Sequence, residues 1–246
     1  MNEEKSLRAG AETFKAQVIS PPGGEIGSGP GLIIVHEIWG LDKHIKDVAG
    51  RFAAQGYGVV APDLLSDTGI LQQIRPTLFA DLRDPQKKHE AQAKMRTLLQ
   101  PLQSEEFARS TMAKVQACFD YLGGASGRVG VVGFCFGGTW GWHLATTEPK
   151  LKAAVCFYGQ PPQPLEKVAD IRCPVLALYG EQDERLMASL PDVQKAMKEH
   201  GKDFTCKIYP KTGHAFFNDT NPQAFNQAAR DDAWGVTVGF LRANVG

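Results

Sequence analysis

Apolar residues in this chain come in short continuous runs separated by longer amphipathic stretches, and the alternation persists from end to end. Short apolar runs bounded by turn residues predict strands at Phe14–Ile19, Leu32–His36, Tyr57–Ala61, Val129–Phe134, Ala153–Tyr158, Val175–Tyr179 and Phe204–Tyr209. Several lack any polar alternation, as strands covered on both faces do. The stretch from Lys43 to Gln55 predicts a helix: Asp42 caps it, Ile45, Val48 and Phe52 share one face, and Gly56 closes it. A last helix is expected after Asn221-Pro222, with Phe225, Ala229, Val236 and Phe240 at roughly helical spacing. The fold class read from this pattern is α/β, a mostly parallel central sheet flanked by helices on both faces. We expect one domain over residues 1–246, with residues 1–12 flexible.

One connection is too long for its task. A crossover helix needs ~10–15 residues, yet Ala61 and Val129 are separated by far more. Its second half, Glu105 to Leu122, reads as that helix, with Ser104 as cap and Phe107, Val115, Phe119 and Leu122 inward. Its first half, Leu64 to Pro101, is polar and interrupted by Pro76 and Pro85. Two readings stay open for residues 64–101: a solvated surface excursion, or a partial lid over the catalytic edge.

Composition narrows the function. Lys+Arg and Asp+Glu are equal at 27 each, so no global field favours nucleic acid or an anionic membrane. No apolar run approaches the ~20 residues of a membrane helix, and the polar start Met1-Asn2-Glu3-Glu4-Lys5 is unlike a secretion signal. Five scattered cysteines without a CxxC pair argue against a disulfide framework and a zinc site. The expectation is a cytoplasmic protein, monomer or dimer, acting on a small molecule, with no metal, no cofactor, no nucleic-acid partner and no membrane partner.

The candidate chemistry begins at Gly133-Phe134-Cys135-Phe136-Gly137, directly after a predicted strand. Small-x-nucleophile-x-small is the pattern of a nucleophile elbow, in which a strand turns sharply into a helix and exposes the residue at the turn. With cysteine there, the nucleophile is a thiolate rather than an alkoxide. A thiol nucleophile needs a base and a group to orient that base. Asp183 follows the strand Val175–Tyr179, with Glu181 and Glu184 as nearby rivals, and His214 follows Phe204–Tyr209. Nucleophile, acid, histidine is the chain order of α/β-hydrolases, and the carboxyl ends of the strands form the ligand-binding edge. The other histidines, His44, His89, His143 and His200, lie in helical stretches and are expected at the surface or boundary. The segment His36-Glu37-Ile38-Trp39-Gly40 lies where the second oxyanion donor of such a fold arises, so the backbone N–H groups of Ile38 and Phe136 are the candidate pair. It lacks the second histidine of HExxH, which removes a zinc-protease reading.

These segments, together with Ala61-Pro62-Asp63-Leu64, Tyr158-Gly159, Gly180-Glu181-Gln182-Asp183 and Gly213-His214-Ala215-Phe216, make the chain resemble the dienelactone hydrolases, or carboxymethylenebutenolidases. The resemblance runs from about Phe14 to Leu241. It implies hydrolysis of a small lactone or carboxylic ester through a cysteine acyl-enzyme, without metal or organic cofactor. Cys135 would attack, His214 would shuttle the proton and Asp183 would orient His214. Glu37 would hold the resting thiol neutral and turned towards it until substrate binds. Family members bind a substrate carboxylate with arginines. The position four residues beyond the histidine is Asn218 here, and the long connection offers Arg75, Arg83, Lys87 and Lys88. Trp39, Tyr158 and Arg83 are the candidate substrate contacts. The rival readings are a general carboxylesterase or thioesterase for uncharged substrates, and a non-catalytic ligand- or redox-responsive protein on the same fold.

Overall fold

A computed structural model of the protein describes residues 1–74, 78, 81–82, 84–123 and 128–246. Eight strands build one sheet: β1 (Asn2–Ala9), β2 (Glu12–Ile19), β3 (Gly31–Val35), β4 (Gly58–Pro62), β5 (Val129–Phe134), β6 (Ala153–Phe157), β7 (Val175–Gly180) and β8 (Phe204–Tyr209). Their order is β1-β2-β4-β3-β5-β6-β7-β8. The β1–β2 and β2–β4 pairs are antiparallel, and all other neighbours are parallel. Every residue of β3 to β7 is buried, which requires cover on both faces. The edge strand β8 is only partly buried.

The cover comes from α1 (Lys43–Ala54), α2 (Lys88–Leu99), α3 (Glu105–Tyr121), α4 (Phe136–Thr147), α5 (Glu184–Glu199) and α6 (Gln227–Asn244). Side-chain caps fix three of the starts. Asp42 accepts from Ile45 N at 3.0 Å, Ser104 from Phe107 N at 3.2 Å, and Asn226 from Ala229 N at 3.0 Å. Each such cap contributes about 1 kcal/mol. Helices α1 and α6 meet through Phe52 and Trp234, ring centroids 4.6 Å apart. No helix among the described residues is long and apolar enough to cross a membrane.

Two elements differ from the sequence reading. Residues 2–9, within the stretch expected to be flexible, form β1, paired in register from Asn2↔Ile19 to Ala9↔Glu12. Only Leu7 and Ala9 of this strand are buried, so it carries too little apolar signal to announce itself. The last helix begins at Gln227, because Asn226 caps it and Phe225 is still in the preceding turn, its N–H bonded to Asn221 O at 2.9 Å. Its buried stripe is Ala229, Ala233, Thr237 and Leu241, while Val236 and Phe240 are half-buried beside the core.

Candidate active site

Strand β5 delivers Cys135 to the catalytic edge, and α4 begins at the next residue. Cys135 has φ +54° and ψ −111°, an unfavourable conformation for a residue with a side chain. Hydrogen bonds hold it there: its N–H donates to Phe157 O at 2.9 Å, and its carbonyl accepts from Thr139 N at 3.1 Å. The flanking glycines are required by contact. A Cβ on Gly133 would lie 2.0 Å from Gly137 O, and one on Gly137 would lie 2.1 Å from Val35 O. Positive φ recurs at Tyr158 (+38°), just after β6, and at Ala215 (+64°), just after His214.

Asp183 and His214 leave neighbouring strands on loops that are laced together. Glu181 N donates to Tyr209 O at 3.0 Å, Gln182 N to Thr212 O at 2.8 Å, and Lys211 N to a Glu181 carboxylate oxygen at 2.9 Å. Glu181 is thus spent on the loop, and Asp183 Oδ2 sits 2.6 Å from His214 Nδ1. A carboxylate only accepts, so Nδ1 carries the hydrogen and Nε2 is the ring nitrogen left for another partner. Burial works against a charged ring. The charge on Cys135 and the bonds to Asp183 and Cys135 outweigh it, and the His214 pKa is raised to about 10. The structure therefore joins His214 to Asp183 and sets Cys135 on the same cavity as His214.

Glu37 lies behind them, 2% exposed. Burial pushes its carboxyl above the usual carboxylate range, against hydrogen bonds from Asn218 and Tyr158 that favour the charged form. One oxygen accepts from Tyr158 Oη at 3.0 Å, and the other accepts from Asn218 Nδ2. The neighbouring His36 is wholly buried. Its Nε2 accepts from Leu64 N at 3.0 Å, which leaves the hydrogen on Nδ1 for Glu37 O at 2.6 Å. Desolvation lowers its pKa and keeps it neutral, so it braces the turn rather than moving protons.

Cys135 and His214 open onto a cavity of about 460 Å³. Ile38, Phe136, Trp140, Leu99 and Leu102 make its apolar wall. Neither Ile38 N nor Phe136 N has an acceptor among the described residues, so both amides remain available. Leu99 closes α2, while Leu102 and Gln103 lie just beyond the 64–101 segment, so among the described residues of the long connection these three line the site. Tyr158 lines the cavity, its ring 5.0 Å from that of His214. Trp39 does not. It lines a neighbouring cavity of about 340 Å³ with Asn218, because the turn closed by Gly40 (φ +78°) carries it away from the thiol. Arg83 falls outside the described residues.

The sequence reading missed Arg185, Gln160 and Thr139, all of which line the cavity. It also misplaced His44, which is buried against Phe134 and Phe217 and bonded to Asp219. The other cysteines are set apart from Cys135 by burial, which pushes the thiol of Cys173 up to about 12 and that of Cys206 up to about 11. No cluster of three or more His, Cys, Asp or Glu side chains suited to a metal occurs among the described residues.

The model of the dienelactone hydrolase family matches residues 14–245. Proteins bearing the name carboxymethylenebutenolidase from Saccharolobus solfataricus and Escherichia coli K12 are each 32% identical. The first aligns over 86% of this chain and 88% of its own length, the second over 83% and 73%. Among solved structures, one named for dienelactone hydrolase from Klebsiella pneumoniae superposes with a TM-score of 0.78 at 25% identity, covering 98% of both chains. Another, the dienelactone hydrolase-like phosphotriesterase P91 from metagenomic libraries, shares the fold with a TM-score of 0.75 at 20% identity, covering 100% of this chain and 99% of its own. Match, fold order and elbow agree: the chain belongs to the dienelactone hydrolase family, whose members are hydrolases of esters and lactones.

Proposed function

We propose that the protein cleaves a small lactone or carboxylic ester through a thioester on Cys135. The carrying observation is that the imidazole of His214, bonded to Asp183, lines the same apolar-walled cavity as Cys135. Cys135 passes its thiol proton to His214 Nε2 as Sγ attacks the carbonyl carbon, and the C=O electron pair moves onto oxygen. The N–H groups of Ile38 and Phe136 face that developing alkoxide. Each such donor lowers the barrier by about 3–4 kcal/mol. As the tetrahedral species collapses, the C–O bond breaks and the alkoxide takes the proton from His214 Nε2. Water then attacks the thioester, giving a proton to His214 and releasing the acid and the thiol. Asp183 fixes the tautomer and offsets the imidazolium charge.

Glu37 acts here as a positioning residue. Its buried carboxyl receives the Tyr158 hydroxyl, and the Tyr158 ring packs beside His214. Burial and the adjacent Glu37 push the Tyr158 hydroxyl pKa well up, so it remains a donor. Its chain neighbour Ile38 supplies an oxyanion donor, so Glu37 braces both sides of the reaction. The test is mass spectrometry of the Cys135 peptide after brief exposure to activated esters and lactones. An acyl adduct on Cys135, absent in Cys135→Ala, is the expected result. Turnover without any cysteine adduct, and unchanged in Cys135→Ala, would remove the mechanism.

A further inference from the structure

The sheet ends in β1 on one side and β8 on the other, and the two edges are guarded differently. An edge strand presents a row of open peptide groups, and charged side chains are a common protection against pairing with another chain. β1 carries four of them, Glu3, Glu4, Lys5 and Arg8. β8 carries one, Lys207, and Asp232 of α6 meets that charge at 2.5 Å. The ladder to β7 fixes which peptide groups of β8 stay open. Val175 N donates to Asp203 O at 2.9 Å and Glu181 N to Tyr209 O at 3.0 Å, so in this parallel register the odd-numbered residues turn their peptide groups to β7. Phe204, Cys206 and Ile208 turn theirs outward, where no other strand pairs among the described residues. That outward row is wholly apolar. Ile208 is 44% exposed, and besides Met1 no other large apolar side chain among the described residues is exposed.

We propose that β8 pairs with β8 of a second copy of this chain, antiparallel about a two-fold axis at Cys206, so that the two sheets become continuous. A two-fold axis makes the strand face itself, so the requirement is self-complementarity. With the axis at Cys206, Phe204 lies opposite Ile208 of the second copy, and symmetry repeats the pair. On the other face Lys207 meets Thr205 of the second copy and stands diagonal to its Asp203, an opposite charge. Moving the axis to Lys207 sets lysine against lysine. Moving it to Thr205 sets Ile208 opposite Lys202, whose ammonium is already held by the carbonyls of Ala169 and Ile171. Pro210 has no N–H to donate, so the ladder ends at Tyr209. One short strand falls below the ~800 Å² per partner of a stable interface, so the flanking helices must also meet. Helix α6 leaves room for this: Gly235 and Gly239 share the stripe of Asp232, are exposed, and have open space where a Cβ would stand.

The experiment follows assembly of the full chain and needs no turnover, so it stands apart from the hydrolase reading. Sedimentation equilibrium over a concentration series is expected to give twice the chain mass of 26.8 kDa for the native protein. Ile208→Lys places a charge in the apolar row and is expected to raise the dimer dissociation constant about a hundredfold or more. Two substitutions at the exposed Thr205 test the register, because that residue faces Lys207 of the second copy. Thr205→Lys is expected to weaken the dimer about three- to tenfold and Thr205→Glu to tighten it by a similar factor. Amide hydrogen exchange over residues 204–208 is expected to be slow in the dimer and fast in Ile208→Lys, with the thermal midpoint of each variant reporting that it is folded. A native protein at the chain mass throughout the series overturns the proposal. So does a dimer that survives Ile208→Lys with exchange over 204–208 unchanged. Weakening by both Thr205 substitutions alike overturns the axis at Cys206.

Discussion

Two histidines in this protein are each bonded through Nδ1 to an aspartate, and the two pairs are built in opposite senses. At His214 the side chain is 44% exposed and its partner Asp183 only 11%, so a recessed carboxylate holds a ring that reaches into a cavity. At His44 the ring is 1% exposed and Asp219 36%, so a surface carboxylate, shared with Arg51, tethers a ring sunk among Phe134 and Phe217. The far nitrogen tells the same story. His214 lines a cavity together with Cys135, whereas His44 Nε2 is buried with no partner among the described residues. A histidine–aspartate contact is therefore not itself a catalytic device. What counts is which end is fixed, and whether the free nitrogen meets a nucleophile and open space.

The comparison is broken most directly by exchanging the two histidines' fates. His214→Gln is expected to lower kcat/KM by about 10³–10⁴-fold with little loss of thermal stability, whereas His44→Ala should unsettle the fold by about 2–4 kcal/mol and keep kcat/KM within a few-fold. Equal kinetic losses in the two variants would erase the distinction. The acids sharpen it: Asp183→Asn should reduce turnover of an activated ester by about 10²–10⁴-fold, and Asp219→Asn by less than about threefold. Next comes Glu37→Gln, which changes the partner offered to Tyr158 and should displace the pH profile of Cys135 alkylation; superimposable profiles would take Glu37 out of the scheme.

The smallest expected effect is on stability. The folded-state pKa of His214 lies above its ordinary 6.5, at about 10, so the pair's contribution is complete below about pH 6.5 and is lost as pH rises through about 10. Solvent reaches this ring, so the change is modest. His214→Gln should remove that part of the fall in thermal midpoint over this window, which a pH series of melting curves measures. An identical fall in both proteins would argue against the raised value.

Much of this was legible from residue order. The five central runs became strands because sheet burial on both faces leaves an unbroken apolar signature, and the elbow was legible because only glycine fits its flanks. Asp183 and His214 were found through position at strand ends, a topological rule rather than a composition. β1 was invisible because an outer strand with one covered face needs few apolar residues, here Leu7 and Ala9. Arg185 was invisible for a different reason. Beside Glu184 at a helix start it reads as a solvated charge, and only the fold reveals that it lines the cavity with Cys135 and His214. An arginine where the helix dipole disfavours one was the available signal. Trp39, two residues after Glu37, lines a neighbouring cavity with Asn218, a placement that residue order does not reveal.

The crowding around Gly133 and Gly137 sets where this enzyme can change over generations. An added methyl at either would overlap main-chain atoms that no rotamer shift moves aside, so the frame around the sulfur is closed to variation. Side chains on the cavity rim, including Leu102, Gln103 and Arg185, meet no such barrier. New substrate preferences should therefore arise by exchange at the rim, with the bend at residue 135 inherited intact.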